Sequence, residues 1–536
     1  MKGKALLVIL MVIILVITSC TADEAVSSDS EEVSRLTFLL PSEPVSMDPT
    51  ISSETYSAIF VYHLFEPLIR VNENNELEPA AAESWEILDD NKVFRFKLRE
   101  NLKWSDGSGI TASDFRNSFI RILSSTTESQ NSGLLTPYIL NANEFNLGNA
   151  SIGDVGIRVI DDYTLEFETY NPTPFFLQVI SFANFAPVRL DLVADNPNWH
   201  KSPDNYVSNG PYILSEFEAS KRGLLIKNEN YWNAENIQID EIEILFRTED
   251  MNVTLMYQNN EFDGVFEITV SELRKMETSE NDSYTNIMAS TAFMIMNHDN
   301  EFFSDPRLRE AISISLDRTE LVSESLYGSG IPSKYLIPMV FKINGEAFHD
   351  YVELVDPPDV DGANLLLQEM RTEGTLIDRP IRLLALKNGP DHQLAKNIGE
   401  YIETELNLPV EFDTMEWPEL FSTAFETDYD IIMMGWGADY PHPMTFLSTF
   451  ISDAIYSNLL RWKDHTFDEK VKDFLAIKDD AEALIALREL ESIVLEETHV
   501  IPIYHRKGLC LMSDRVKGWY RNSSSQFSFL NAWIED

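Results

Sequence analysis

Lys2 and Lys4 lead into an unbroken apolar run over residues 5–17, which ends at Thr18, Ser19 and Cys20. A helix needs about twenty apolar residues to cross a bilayer core. The run is too short for that, and its basic start and small-residue end have the layout of an export signal. The remaining chain therefore has to fold outside the cytoplasm.

Ile17-Thr18-Ser19-Cys20 resembles a lipobox, in which the cysteine receives lipid and becomes the mature N-terminus. More than one acyl chain on Cys20 gives a stable hold on a membrane, where a single chain gives only a marginal one. Cys510 is the only other cysteine, so a lipidated Cys20 leaves no disulfide framework, zinc-ligand spacing or redox pair. Cys510 stands in Gly508-Leu509-Cys510-Leu511-Met512 and reads as a buried, inert thiol. Residues 20–34 carry small, polar and acidic side chains after the cysteine and read as a flexible tether. Over the whole chain, 44% hydrophobic and 11% aromatic residues are enough for packed cores, and 536 residues predict two to four domains at about 100–200 residues each. Lys and Arg number 41 against 88 Asp and Glu, a net charge of −47. Nucleic acid is excluded as a general partner because phosphate binding needs a basic footprint. Most of the charge reads as solvated surface.

Strands and helices are mixed. In Val93-Phe94-Arg95-Phe96-Lys97-Leu98, apolar and basic residues alternate, which predicts a half-buried strand. Thr111 followed by Asp114 predicts a helix start. Pro306 predicts another at the head of residues 304–327, a segment closed by Tyr327-Gly328. Further strands are expected at 157–159, 164–167, 242–246, 381–385, 430–434 and 500–504, with a helix near 481–496. The class is α/β.

The chain has no His-Glu-x-x-His, no Gly-x-Ser-x-Gly elbow, no phosphate loop and no dinucleotide fingerprint. His298, His442 and His505 stand alone, as do the other histidines. No catalytic residue, metal site or cofactor is expected, although plentiful carboxylates keep an acidic hydrolase among the alternatives.

Several blocks occur in an order that points to a family. Glu78-Pro79-Ala80-Ala81-Ala82-Glu83-Ser84-Trp85-Glu86 is followed by the 94–101 strand region, Lys103-Trp104-Ser105-Asp106-Gly107 and Thr111-Ala112. Asn209-Gly210-Pro211-Tyr212, Asp305-Pro306-Arg307-Leu308-Arg309, Gly435-Trp436-Gly437-Ala438-Asp439-Tyr440-Pro441 and Pro502-Ile503-Tyr504 come next. Together they resemble family 5 of the extracellular solute-binding proteins, the peptide/nickel class of ABC-importer receptors, and within it the oligopeptide binders.

That resemblance implies a periplasmic-binding-protein-like type II fold, two lobes around a ligand cleft with an extra domain on the N-terminal lobe. Residues 1–19 would be the signal peptide. Residues 35–65, 187–290 and 506–536 would form lobe I, 66–186 the extra domain, and 291–505 lobe II, with hinges near 290 and 505. It also implies a monomer on the outer face of the cytoplasmic membrane that binds a peptide and delivers it to a permease and ATPase. Asp439 would pair with the ligand's ammonium. Trp436, Gly437, Ala438 and Tyr440 would flank the ligand, Trp417 and Tyr504 would line the cleft, and His392 would stand near the ligand's carboxyl end. The chain departs from the pattern at Met433-Met434, where an Arg for that carboxylate is expected, and at Asn117, where a tyrosine is expected. It departs again over residues 292–297, which are apolar apart from Asn297. These changes favour a longer or hydrophobic peptide, or an amine without a nearby carboxylate. A nickel chelate, haem, an oligosaccharide or another amine is the alternative ligand.

Overall fold

The computed structural model describes residues 33–535, apart from 197, 249–250, 269–271, 273–274, 276–282, 298, 301–302, 350–353, 377–378, 390, 427–428, 453–461 and 497. The leader, Cys20, most of the tether and His298 lie outside the described residues. No described helix is long and apolar enough to cross a membrane.

Strand β1 (Arg35–Leu40) places Leu36, Phe38 and Leu40 at no solvent exposure, as its apolar sequence requires. It runs parallel to Glu241–Phe246 on one side and to Gly264–Val265 on the other. Arg222–Lys227 and Tyr212–Glu218 extend the sheet antiparallel. The core over this half gathers Phe38, Phe60, Trp199 and Tyr212 with Phe527 and Phe529 from the C-terminal tail. Cys510 is buried in the same core, and burial pushes its thiol up to about 11, as expected of an inert residue.

A four-stranded antiparallel sheet of Ala82–Leu88, Val93–Leu98, Thr164–Glu168 and Ile157–Asp161 forms a separate layer. Helix α1 (Ala112–Leu123) packs on it through the buried Phe115 and Phe119. The Thr111 N–H donates to Asp114 Oδ2 at 2.8 Å, the start signal read in the sequence.

The second half supplies β2 (Ser283–Met296), β3 (Ile381–Leu386), helix α2 (His392–Leu406), β4 (Val410–Met415), helix α3 (Trp417–Glu426), β5 (Ile431–Gly437) and β6 (Val500–Met512). Parallel strands β4, β3 and β5 lead to β2, which is antiparallel to β5 and to β6. Because β6 also pairs with Gly264–Val265, one sheet continues through both halves. The long β2–β6 ladder shifts register between Ile287 and Thr291, opposite residues 505–507. A second irregularity falls between Ala292 and Phe293.

Two local outcomes differ from the expected pattern. Residues 304–327 form two helices, Pro306–Ser315 and Arg318–Leu326, because the Asp317 carboxylate accepts the Glu320 N–H at 2.9 Å and starts a new helix. The core of the four-stranded layer also does not close on itself. It is continuous with Leu384, Met434, Tyr440 and Phe474 of the second half.

Candidate ligand-binding site

Alternation along β5 divides its side chains between two environments. Ile431 and Met433 enter the core formed with α2 and β3, whereas Ile432 and Met434 face the other core. The ladder with β2 runs from Met296↔Ile431 to Ser290↔Gly437, and the Ala438 N–H extends it by one bond to Ala289 O at 2.7 Å. Pro441 and Pro443 have no N–H to continue it, so the chain leaves the sheet at Asp439. Gly437 at this edge is exposed, with space beside it.

The Asp439 N–H donates to Thr445 Oγ1 at 3.0 Å. Its carboxyl is half-buried, and desolvation pushes it up to about 6, partly opposed by the Thr445 hydrogen bond. Among the described residues no Lys, Arg or His pairs with it. A carboxylate in this setting is stabilised by an incoming ammonium, which supplies both charge and donors.

The neighbouring rings fix the loop. Tyr440 is 3% exposed; its ring lies parallel to Phe175 at 6.0 Å, and its hydroxyl is 3.3 Å from that of Tyr138. The family resemblance puts Tyr440 beside the ligand and its aromatic character equally suits core packing; here its ring is packed between Phe175 and the second half. His442 stacks on Phe175 at 4.9 Å and accepts the Met444 N–H on Nδ1. Burial pushes it down to about 3, so it offers Asp439 no charge near neutral pH.

On the same side of β5 lies a cavity of about 370 Å³, within the usual size for a small-ligand site. Trp436 and Met434 from β5, Phe293 and Ile295 from β2, and Trp417 and Phe421 from α3 form half of its wall. Gln130 reaches it from the extra layer. Trp417 is 51% exposed and leans on Phe421 at 5.6 Å, which leaves its ring available to a ligand. The apolar residues 292–297 are thereby explained. Phe293 and Ile295 line the cavity while Ala292, Met294 and Met296 fill the opposite core.

Tyr504 and His392 sit with a group that the sequence did not flag. The Tyr504 ring is buried in the second-half core, and its hydroxyl donates to Asp391 Oδ1 at 2.5 Å. Arg506 donates from Nη1 to the Tyr504 hydroxyl at 3.0 Å and from Nη2 to Asp391 Oδ2 at 2.5 Å. His392 packs edge-on against Phe412 at 5.7 Å, and its Nδ1 is buried without a hydrogen-bond partner among the described residues. The signal for Arg506 was available, since residues two apart on a strand share a face and Arg506 follows Tyr504. Asp391 is 115 residues away and gave none.

Among the described residues no cluster of His, Cys, Asp and Glu is arranged to hold a metal ion.

Comparison with known proteins bears on the family and the fold. Residues 76–458 match the family described as bacterial extracellular solute-binding proteins, family 5 Middle. The chain is 26% identical to the oligopeptide-binding protein OppA of Bacillus subtilis, over 100% of both chains. It is 27% identical to the probable deoxycholate-binding periplasmic protein YgiS of Escherichia coli, covering 89% of each. The crystal structure of the substrate-binding domain of an oligopeptide ABC transporter from Bacillus anthracis superimposes with a TM-score of 0.77 at 26% identity, covering 94% of this chain and 99% of that one. The architecture is the two-lobed, periplasmic-binding-protein-like type II fold.

Proposed function

The chain belongs to family 5 of the bacterial extracellular solute-binding proteins, and from that premise we propose that it captures peptides between its lobes and delivers them to the permease and ATPase of an ABC importer. Asp439 carries this reading, as a half-buried carboxylate with no cation of its own among the described residues. It selects a ligand with a free ammonium, and the cavity beside Trp436 and Trp417 takes an apolar side chain. Lobe I comprises 35–65, 187–290 and 506–536, lobe II comprises 291–505, and 66–186 is the extra domain. The lobes move about the shifted stretch of the β2–β6 ladder, and a ligand touching both favours the closed arrangement. Cys20 carries the lipid anchor, which holds the receptor, a monomer, at the outer face of the cytoplasmic membrane.

Titration calorimetry with short peptides tests this. A peptide with a free N-terminus is expected to bind, and its N-acetylated form to bind at least about tenfold more weakly. Equal affinity for the two overturns the role of Asp439. The apolar cavity wall, together with a relative named for deoxycholate, favours a non-peptide apolar solute as the second reading. Mass spectrometry of small molecules released by denaturing the purified protein separates the two.

A further inference from the structure

Arg506 is the second charged group set beside β5, and we infer that it receives the carboxylate end of the bound peptide, in competition with the intramolecular carboxylate of Asp391. The inference rests on the peptide-binding reading above and deepens it to a ligand with both ends free.

Four features of the site carry it. Arg506 lies on β6 at the shifted part of the ladder, where the chain passes between the lobes. Asp391 of the second lobe holds it, although Arg506 itself opens the tail assigned to the first. Neither member of the pair is sealed, with side-chain exposures of 21% for Arg506 and 15% for Asp391. Two of the five guanidinium N–H groups are engaged among the described residues, by Tyr504 and Asp391, which leaves donors for a second carboxylate.

Asp391 also has somewhere else to go. It occupies the N-cap position of α2, a helix of 15 residues, yet its side chain makes no cap hydrogen bond. If a ligand carboxylate takes Arg506, Asp391 is free to turn back to its own helix start, where an Asp cap is stabilising. The exchange swaps one carboxylate for another at the guanidinium, and a cap replaces the hydrogen bond from Tyr504 to Asp391.

The position sets a length for the ligand. Arg506 Nη2 lies so close to β5 that a Cβ on Gly435 would stand 2.9 Å from it, and glycine there leaves the room. Gly435 precedes Asp439 by four residues, at most about 14 Å of extended chain. A peptide with its ammonium at Asp439 and its carboxylate at Arg506 therefore has about three or four residues.

Calorimetry on the whole protein with one tetrapeptide, as free acid and as C-terminal amide, tests the proposal without any variant. The acid is expected to bind about tenfold or more tightly. In Arg506→Gln the acid should weaken to the level of the amide, and in Asp391→Asn it should bind more tightly than in the native protein because the competitor is gone. Equal binding of acid and amide by the native protein overturns this inference and leaves peptide binding standing, as does a preference for the acid that survives in R506Q. If neither form of any peptide binds, the functional reading fails and this inference with it.

Discussion

Asp48 and Asp439 are both carboxylates drawn out of water, and the protein treats them in opposite ways. Asp48 is 1% exposed and saturated. It accepts from Arg121 Nη1 at 2.9 Å and Nη2 at 2.6 Å, from Trp199 Nε1 at 3.3 Å and from the Thr50 N–H at 3.0 Å. The pair ties helix α1 of the extra layer to the N-terminal segment. Asp439 has the Thr445 hydroxyl and, among the described residues, no cation. A buried carboxylate satisfied on all sides is a joint, because removing a partner strands its charge. One left short of a cation gains from an incoming cation or from a proton, as a group that meets a charged ligand would.

The contrast breaks or sharpens under mutation. Arg121→Ala should strand Asp48 and destabilise the fold by about 3–5 kcal/mol in chemical denaturation, while the folded fraction keeps its peptide affinity. A loss below about 1 kcal/mol would show that the Asp48 joint is dispensable. Asp439→Asn should do the reverse, costing about 2–4 kcal/mol of peptide binding by calorimetry. Unchanged affinity would remove the distinction between the two carboxylates.

Acidity should affect Asp439 next. With its carboxyl at about 6 in the ligand-free protein, binding an ammonium below that pH must expel a proton. Affinity should therefore fall about tenfold between pH 7 and pH 5, and the profile should be flat in D439N. The groups facing it stay out of this window, since His442 is held down to about 3 and the Tyr138 and Tyr440 hydroxyls are pushed above their ordinary values by burial. The sign for stability is opposite. A carboxyl raised on folding binds protons in the folded state first, so this group adds stability as pH falls from 6 towards 4. By the same logic D439N should raise ligand-free stability near pH 7 by about 1–2 kcal/mol. The smallest effect is expected from Trp436→Ala, about 1 kcal/mol of binding for peptides whose apolar side chain reaches the cavity, and none for polar ones.

Much of the architecture was legible because it is written locally. The period of Phe94, Phe96 and Leu98 marks a strand, and Thr111 with Asp114 marks a helix start, since each depends on neighbours a few residues away. The order of the family blocks carried the fold, and the motif at 435–441 carried Asp439. The sequence did not show that residues 304–327 break at Asp317, where two helix signals overlap in one apolar-periodic stretch. It also gave no sign that Tyr440 would be spent on Phe175, a residue 265 positions earlier, since a ring that binds ligand and a ring that packs have the same composition around them.

By itself the sequence determined an α/β chain of a solute-binding family and the acidic residue that follows β5. Tertiary structure alone decided which charges meet. Met433-Met434 read as the loss of a cation beside β5, yet the fold brings Arg506 from β6 across Gly435 to the same strand, next to Asp391 from the start of α2. Hydrophobic periodicity records which face of an element is buried, because burial acts on each residue through its own side chain. An ion pair depends on two residues at once, and where they are far apart in the chain only the packing of the elements between them brings them together.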